Sequence, residues 1–116
     1  MTDHKAITIK DVVNQASISL DILSEECSRT VLLDLAKCCD RWKLVGQRLG
    51  LSEAEISDVD GDNRTAQEKR VGMLMKWKER SLTTSYLVFI EALLSQGMTQ
   101  AAIEACKVIG AAASRQ

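Results

Sequence analysis

Proline is absent from this sequence, and aromatic residues are scarce. The 116 residues include no proline and only two tryptophans, one tyrosine and one phenylalanine. Because proline interrupts helices and often marks the turns of sheet-rich domains, its absence permits long helical runs. Strands favour aromatic and β-branched side chains, so a core filled largely by Leu, Ile, Val, Ala and Met suits helices better than a sheet. The composition therefore predicts an all-α protein, and its length fits a single domain.

The chain also has very little net charge and no long apolar segment. The formal net charge is -1, so the chain as a whole has no electrostatic attraction to nucleic acid or to an anionic membrane. No segment approaches the roughly 18 apolar residues that suggest a membrane span, and the first residues lack the apolar run of a signal peptide. The sequence predicts a cytoplasmic protein with no membrane partner and no nucleic-acid partner.

Groups that bind zinc are few. The one histidine is His4, and no two of the four cysteines form a C-x-x-C pair. A zinc site is therefore not expected. Cys38 and Cys39 are adjacent and point about 100° apart on a helix, so at least one of them is expected to be a free thiol in the core.

A calcium site and an enzyme are not expected either. Asp58-Val-Asp60-Gly61-Asp62 resembles the start of a calcium loop. An EF-hand, however, requires glycine and glutamate where this chain has Asn63 and Lys69. The chain also lacks a glycine-rich phosphate loop, a second histidine and a nucleophile motif. We therefore expect no enzymatic activity, no catalytic residue, no metal and no cofactor.

Apolar residues at helical spacing predict three helices in the first half of the chain. The first is expected from about Ile9 to Cys27, after a weak capping arrangement of Thr8 with Asp11. A second amphipathic helix is expected to end near Asp40. A short third helix, whose apolar stripe is Trp42, Val45 and Leu49, is expected to end at Gly50 in the left-handed conformation.

Two capping boxes mark the next helices. Ser52 with Glu55, and Thr65 with Glu68, have the S/T-x-x-E spacing that satisfies unpaired amides at a helix start. The helix that begins at Ser52 is expected to end at Gly61. The second should run to about Arg80 even though it contains Gly72, which costs about 1 kcal/mol relative to alanine in a helix interior.

Two more helices complete the prediction. One has a buried stripe that begins at Tyr86, and Gly97 is placed to end it. The last begins near Thr99, with Ala102, Ile103, Cys106 and either Val108 or Ile109 facing inward. Residues 113–116 are expected to fray. Seven helical segments with short loops predict a compact antiparallel bundle, and no repeat indicates a solenoid.

Three ordered motifs carry a resemblance to a known family. They are W-K-x-x-G-x-x-L-G-L-S-x-x-x-I from Trp42, E-x-x-x-x-M-L-x-x-W from Glu68, and Y-x-x-F-I-x-A-L-x-x-x-G-x-x-x-A-A from Tyr86. In this order and at this spacing the chain resembles the death domain family from about Thr30 to Gly110. Residues before Thr30 lie outside the pattern and could form an added helix or a linker.

The resemblance implies a fold and a function. The fold would be a six-helix antiparallel Greek-key bundle, the death fold, here with an extra N-terminal helix. The function would be homotypic assembly in intracellular signalling of the apoptotic or innate-immune type, without catalysis. The partners would be other death-domain proteins, with a second copy of the chain as a further candidate. The expected organisation is an N-terminal helical extension over 1–29, a death domain over 30–112 and a frayed tail over 113–116.

Charge is unevenly distributed along the middle of the chain. From Ser52 to Asn63 there are five acids and no bases, whereas from Arg64 to Arg80 there are six bases and two acids. Separate negative and positive surfaces of this kind favour head-to-tail contacts between copies. By this resemblance, the second and third helices would form one side of a contact that recurs between death domains. The first and fourth helices would form the other side.

By that resemblance, a basic and an acidic patch are the candidate partner-binding sites. The basic patch is Arg64, Lys69, Arg70 and Lys76, and the acidic patch is Glu55, Asp58, Asp60 and Asp62. Reversing Arg70 to Glu is expected to weaken association without changing stability. One alternative is that both patches are merely solvated helix faces. Another is a small helical nucleic-acid-binding domain that uses the basic Arg64–Arg80 helix.

Overall fold

The computed structural model describes residues 7–114, and this part of the chain contains seven α-helices and no strand. The α-helices are α1 (Ile9–Ala16), α2 (Arg29–Leu35), α3 (Trp42–Arg48), α4 (Glu53–Asp62), α5 (Ala66–Arg80), α6 (Tyr86–Ser95) and α7 (Thr99–Ser114). Short 3-10 helices cover Leu20–Ser24 and Ala36–Cys38. The predicted all-α fold is confirmed. His4 and the end of the tail lie outside the described residues.

The predicted continuous helix from Ile9 to Cys27 is wrong. Helix α1 ends at Ala16 because Ser17 adopts the left-handed conformation, with a φ of 58°. The amide of Ile18 donates to the carbonyl of Val13 at 3.1 Å, which closes the helix end. Ser19 then caps a separate 3-10 helix by accepting a hydrogen bond from the amide of Asp21. Serine competes for backbone hydrogen bonds, so two serines in three residues favour a break here.

The capping predictions for α4 and α5 are confirmed. Ser52 with Glu55, and Thr65 with Glu68, each exchange reciprocal hydrogen bonds at the helix start. Gly50 has a φ of 98°, as expected for a residue that ends a helix in the left-handed region. Gly61, however, does not end α4, which continues to Asp62.

The end of α4 is held instead by Asn63. Its side-chain amide donates to the carbonyl of Val59 at 2.8 Å. A side chain at Gly72 on α5 would meet this amide at 2.8 Å and Val59 at 3.4 Å. Glycine inside α5 therefore lets α4 and α5 approach closely, which explains why a poor helix former occupies this position.

One apolar core joins the helices, with α5 near its centre. Helix α5 packs against α2, α3 and α4. Its Trp77 is 1% exposed, and the indole ring lies 6.5 Å from the ring of Phe89 on α6. Met73, Leu74 and Ile90 are also fully buried. The outer face of α5 stays available for charged side chains.

The N-terminal segment contributes to this same core. Helix α1 packs against α7, where Val12 has no exposed surface. A side chain at Gly110 on α7 would overlap Ile18, so glycine permits the close approach. The amide of Cys27 donates to the carbonyl of Thr84 at 2.7 Å, which ties the segment to the start of α6. The added helix is thus packed on the bundle. The limits 1–29, 30–112 and 113–116 stay predictions, and α7 extends to Ser114.

Candidate functional site

The predicted acidic and basic patches lie on neighbouring helices, and ion pairs connect them. Asp60 on α4 contacts the ammonium of Lys69 on α5 at 2.6 Å and that of Lys43 on α3 at 3.2 Å. Hydrogen bonds from Lys69 first and Lys43 second lower the pKa of the Asp60 carboxyl. The expectation of two separate surfaces is therefore wrong here, because helix packing places Asp60 and Lys69 in contact within one molecule.

Glu55 also has a role inside the molecule. Its carboxylate accepts the amide hydrogen of Ser52 in the capping box and lies 3.1 Å from the guanidinium of Arg80. The backbone hydrogen bond is the main reason that the pKa of Glu55 is lowered, and Arg80 adds to the effect. Arg80 further donates to the carbonyl of Gly50. Glu55 therefore stabilises the start of α4 and links it to the end of α5.

Arg70 joins α5 to the turn before α3. Its guanidinium lies 3.4 Å from the carboxylate of Asp40, and its side chain is only 24% exposed. The Nε atom is buried without a hydrogen-bond partner among the described residues. A glutamate at this position would place a second carboxylate beside Asp40 in a partly buried site. The expectation that Arg70→Glu leaves stability unchanged is therefore not supported by this geometry.

Four of the eight predicted site residues have no ion-pair partner among the described residues, although the charge of Lys76 helps to lower the pKa of Glu55. Within residues 7–114, Asp58 and Asp62 on α4, and Arg64 and Lys76 near or on α5, form no ion pair. The first three are exposed, and Lys76 is partly exposed. We call Asp58 and Asp62 the free acids, and Arg64 and Lys76 the free bases.

Lys43 belongs to this surface but was not predicted. It bridges α3 to Asp60, and its ammonium lies 5.7 Å from the centre of the Trp42 ring. The signal was present, because the stretch from Arg41 to Arg48 holds three bases and no acid. The carboxylate partners Asp40 and Glu26 were also missed. They lie 30 and 52 positions from Arg70 and Lys78, and nothing in the local pattern indicates such pairs.

The cysteines lie in or beside the core. Cys27, Cys39 and Cys106 are buried and Cys38 is partly buried, with all four as free thiols. Burial raises the pKa of Cys27 and Cys39 to about 12 and that of Cys38 and Cys106 to about 11. The expectation that one of the adjacent pair lies in the core is confirmed by Cys39. Since the thiolate is the reactive form, these thiols have the environment of inert core cysteines.

Residues 7–114 also show how the side chains of metal-binding type and the most apolar helices are arranged. No group of three or more potential metal-binding side chains comes together there. Asp58, Asp60 and Asp62 lie on a regular helix, and Asp60 is occupied by two lysines. None of the described helices is both long and apolar enough to cross a bilayer.

Comparison with known proteins decides the family. The family model described as Death domain matches residues 30–107 of the chain. The chain belongs to the death domain family. No curated protein and no solved structure matches it. The matched part of this death domain begins in the first turn of α2 and ends inside α7. It leaves out α1 and the first 3-10 helix. Death domains are protein-interaction modules, and this general role applies to the chain.

Proposed function

We propose that this death domain assembles with other death domains, including copies of itself, through the charged surface of α3, α4 and α5. The assembly would serve cytoplasmic signalling of the apoptotic or innate-immune type. The free acids of one molecule would meet the free bases of the next. In this heterologous contact each molecule uses its free acids toward one neighbour and its free bases toward another, so the assembly can extend into a ring or a helix.

The proposal rests mainly on the position of Asp62, one of the two free acids. Asp62 lies in the last turn of α4, where the helix dipole disfavours a negative charge by about 0.3–1 kcal/mol. The last turn holds no basic residue that would offset this cost. Asp62 is exposed and makes no ion pair with residues 7–114. An acid that weakens its own helix and has no ion-pair partner among residues 7–114 is well suited to a partner in another molecule.

The internal ion pairs support the same use of the surface. Asp60 fixes the relative positions of α3, α4 and α5 through Lys43 and Lys69. Asp58, Asp62 and Lys76 are thereby presented from packed helices, and Arg64 lies in the loop that joins α4 to α5. Exposed ion pairs contribute only about 0–1 kcal/mol each, so the charges would set the register and salt dependence of assembly more than its affinity.

Nucleic-acid binding by α5 has less support. Four basic residues of α5 are already paired with carboxylates of the same chain: Lys69, Arg70, Lys78 and Arg80. Binding to phosphates depends on the release of counterions from unneutralised positive charge. Only Lys76 of the basic side chains on α5 is without an ion pair in the described part of the chain. No observation favours this alternative.

Reversing the free charges tests the proposal. The acid-reversed variant Asp58→Lys/Asp62→Lys and the base-reversed variant Arg64→Glu/Lys76→Glu should each weaken self-association at low salt by about tenfold or more. The acid-reversed variant should fold at least as well as the original chain, because a positive charge in the last turn of α4 suits the helix dipole. Equilibrium sedimentation, with circular dichroism as the folding check, measures both effects.

A mixture of the two variants provides the decisive comparison. Opposite reversals restore attraction across one contact, so the mixture should associate more strongly than either variant alone. Lys107→Glu is the control, since Lys107 lies on α7 and pairs with Glu104. If both variants associate like the original chain, or if the control weakens association equally, the charged surface is not the contact.

A further inference from the structure

An acidic cavity lies where the N-terminal segment, α2, α6 and α7 meet. Its volume is about 290 Å³, which suits a single bound side chain better than a large ligand. The N-terminal segment supplies part of the wall. This part lies outside the region that matches the death domain family, which begins at residue 30. The cavity therefore exists only because the added segment packs on the bundle.

Three carboxylates and no basic side chain line this cavity. They are Glu25 and Glu26 of the N-terminal segment and Asp34 of α2. Within residues 7–114, Glu25 and Asp34 form no ion pair, whereas Glu26 lies 4.0 Å from the ammonium of Lys78. A concave site lined by one sign of charge attracts a ligand of the opposite sign. The cavity is therefore suited to a cation.

The arrangement of the lining groups favours an organic cation. Among the described residues, no group of three or more side chains of metal-binding type comes together. The rest of the lining includes apolar side chains, among them Ile22, Val31 and Ile109. An arginine side chain combines an apolar stem with a planar guanidinium, whose five N–H donors can serve carboxylates that lie apart. Lysine places the same charge at a single point, so arginine fits this lining better.

Tyr86 gives an independent indication of a ligand. It lines the cavity and is only 6% exposed. Its hydroxyl oxygen accepts a hydrogen bond from the amide of Ser28 at 3.1 Å, but its hydroxyl hydrogen is donated to no described residue. Buried donors in folded proteins normally have an acceptor. The backbone carbonyl of a bound polypeptide can supply one, whereas a guanidinium alone has no acceptor atom.

We propose that the acidic cavity binds an arginine side chain of a partner protein. The guanidinium lies between Glu25 and Asp34, the stem covers the apolar part of the lining, and Tyr86 donates to a backbone carbonyl beside the arginine. The site is separate from the charged surface of α3, α4 and α5, because none of the free acids or free bases lines it. Failure of one contact is therefore distinguishable from failure of the other.

Titration with arginine derivatives, followed by amide NMR signals, tests the cavity. The probe is Nα-acetyl-arginine N-methylamide, and its matched control is the citrulline derivative, which has nearly the same shape and no charge. We expect saturable changes at residues 22–34 with a dissociation constant on the order of 1 mM. The citrulline derivative should bind about fivefold more weakly or worse. Methylguanidinium, which lacks the stem and the carbonyls, should also bind about fivefold more weakly or worse.

Two double substitutions separate the cavity from the overall charge of the chain. Glu25→Gln/Asp34→Asn removes two carboxylate charges from the cavity, and both positions are exposed. Asp58→Asn/Asp62→Asn removes the same charge from α4 and is the control. The cavity variant should weaken binding of the arginine derivative by about tenfold, and the control should not. The cavity variant should leave self-association at low salt unchanged, as measured by sedimentation velocity.

Several results would overturn the proposal. The first is an arginine derivative that produces no saturable change at residues 22–34, or that binds no better than the citrulline derivative or methylguanidinium. An equal loss of binding in both double variants would have the same meaning. If the cavity variant weakens self-association, the occupant is a second copy of the chain. Arg115 lies outside the described residues, and binding seen only in an Arg115→Gln chain would assign the cavity to the chain's own tail.

Discussion

Replacing Trp77 with alanine should lower the free energy of unfolding by about 3–5 kcal/mol. The indole is 1% exposed and packs near Phe89 between α5 and α6. Its removal leaves a cavity bordered by helices that cannot all move inward, because α5 is already held against α2, α3 and α4. The loss is a large share of the roughly 5–15 kcal/mol that stabilises a typical domain.

Urea unfolding followed by circular dichroism measures the effect of Trp77→Ala. For a domain of this size the melting temperature should also fall by more than about 10 °C. Glu79→Ala is a suitable control, since Glu79 is exposed two positions further along the same helix. A loss for Trp77→Ala as small as that for Glu79→Ala would mean that the ring is outside the core, which the packing of α5 does not allow.

Leu23→Ala should lower the free energy of unfolding by about 2–5 kcal/mol. Leu23 has no exposed surface although it precedes the region matched by the family model. The 3-10 helix that carries it packs against α6 and α7. A large loss of stability in one cooperative transition would show that the N-terminal segment and the death domain unfold together.

Leu20→Ala is the matched control for Leu23→Ala. Both leucines lie in the same short 3-10 helix, but Leu20 is 43% exposed. The Leu20→Ala substitution should lower the free energy of unfolding by less than about 1 kcal/mol. If Leu23→Ala is as mild as Leu20→Ala, the segment before α2 is an appendage that does not contribute to the domain core.

Local sequence signals predicted much of the fold. The capping boxes at Ser52 and Thr65 correctly placed the starts of α4 and α5 because their hydrogen bonds connect residues three apart. Gly50 and Gly97 were correctly placed at helix ends, because a glycine just after an apolar stripe is also a local signal. Both adopt a positive φ. Ser17 was missed, since the apolar spacing around it continues as though the helix did not end.

The candidate site depended more on contacts between distant residues. Charge counts indicated an acidic α4 and a basic α5. They could not show that Asp60 meets Lys69 or that Arg70 is held by Asp40, since these pairs form only when helices pack. Helix packing also divides the predicted patches into residues that stabilise the domain and residues that remain free. The groove between residues 8–24 and α6 could not be predicted, because its two walls are separated by over sixty residues in the chain.

Sedimentation velocity of the unmodified chain, over a wide concentration range and at two salt concentrations, tests the charged-surface assembly most directly. At low salt, where the Debye length exceeds about 20 Å, we expect the sedimentation coefficient to rise with concentration. At about 0.5 M salt it should return to the monomer value. A monomer at every concentration in both salts would contradict self-assembly through α3, α4 and α5.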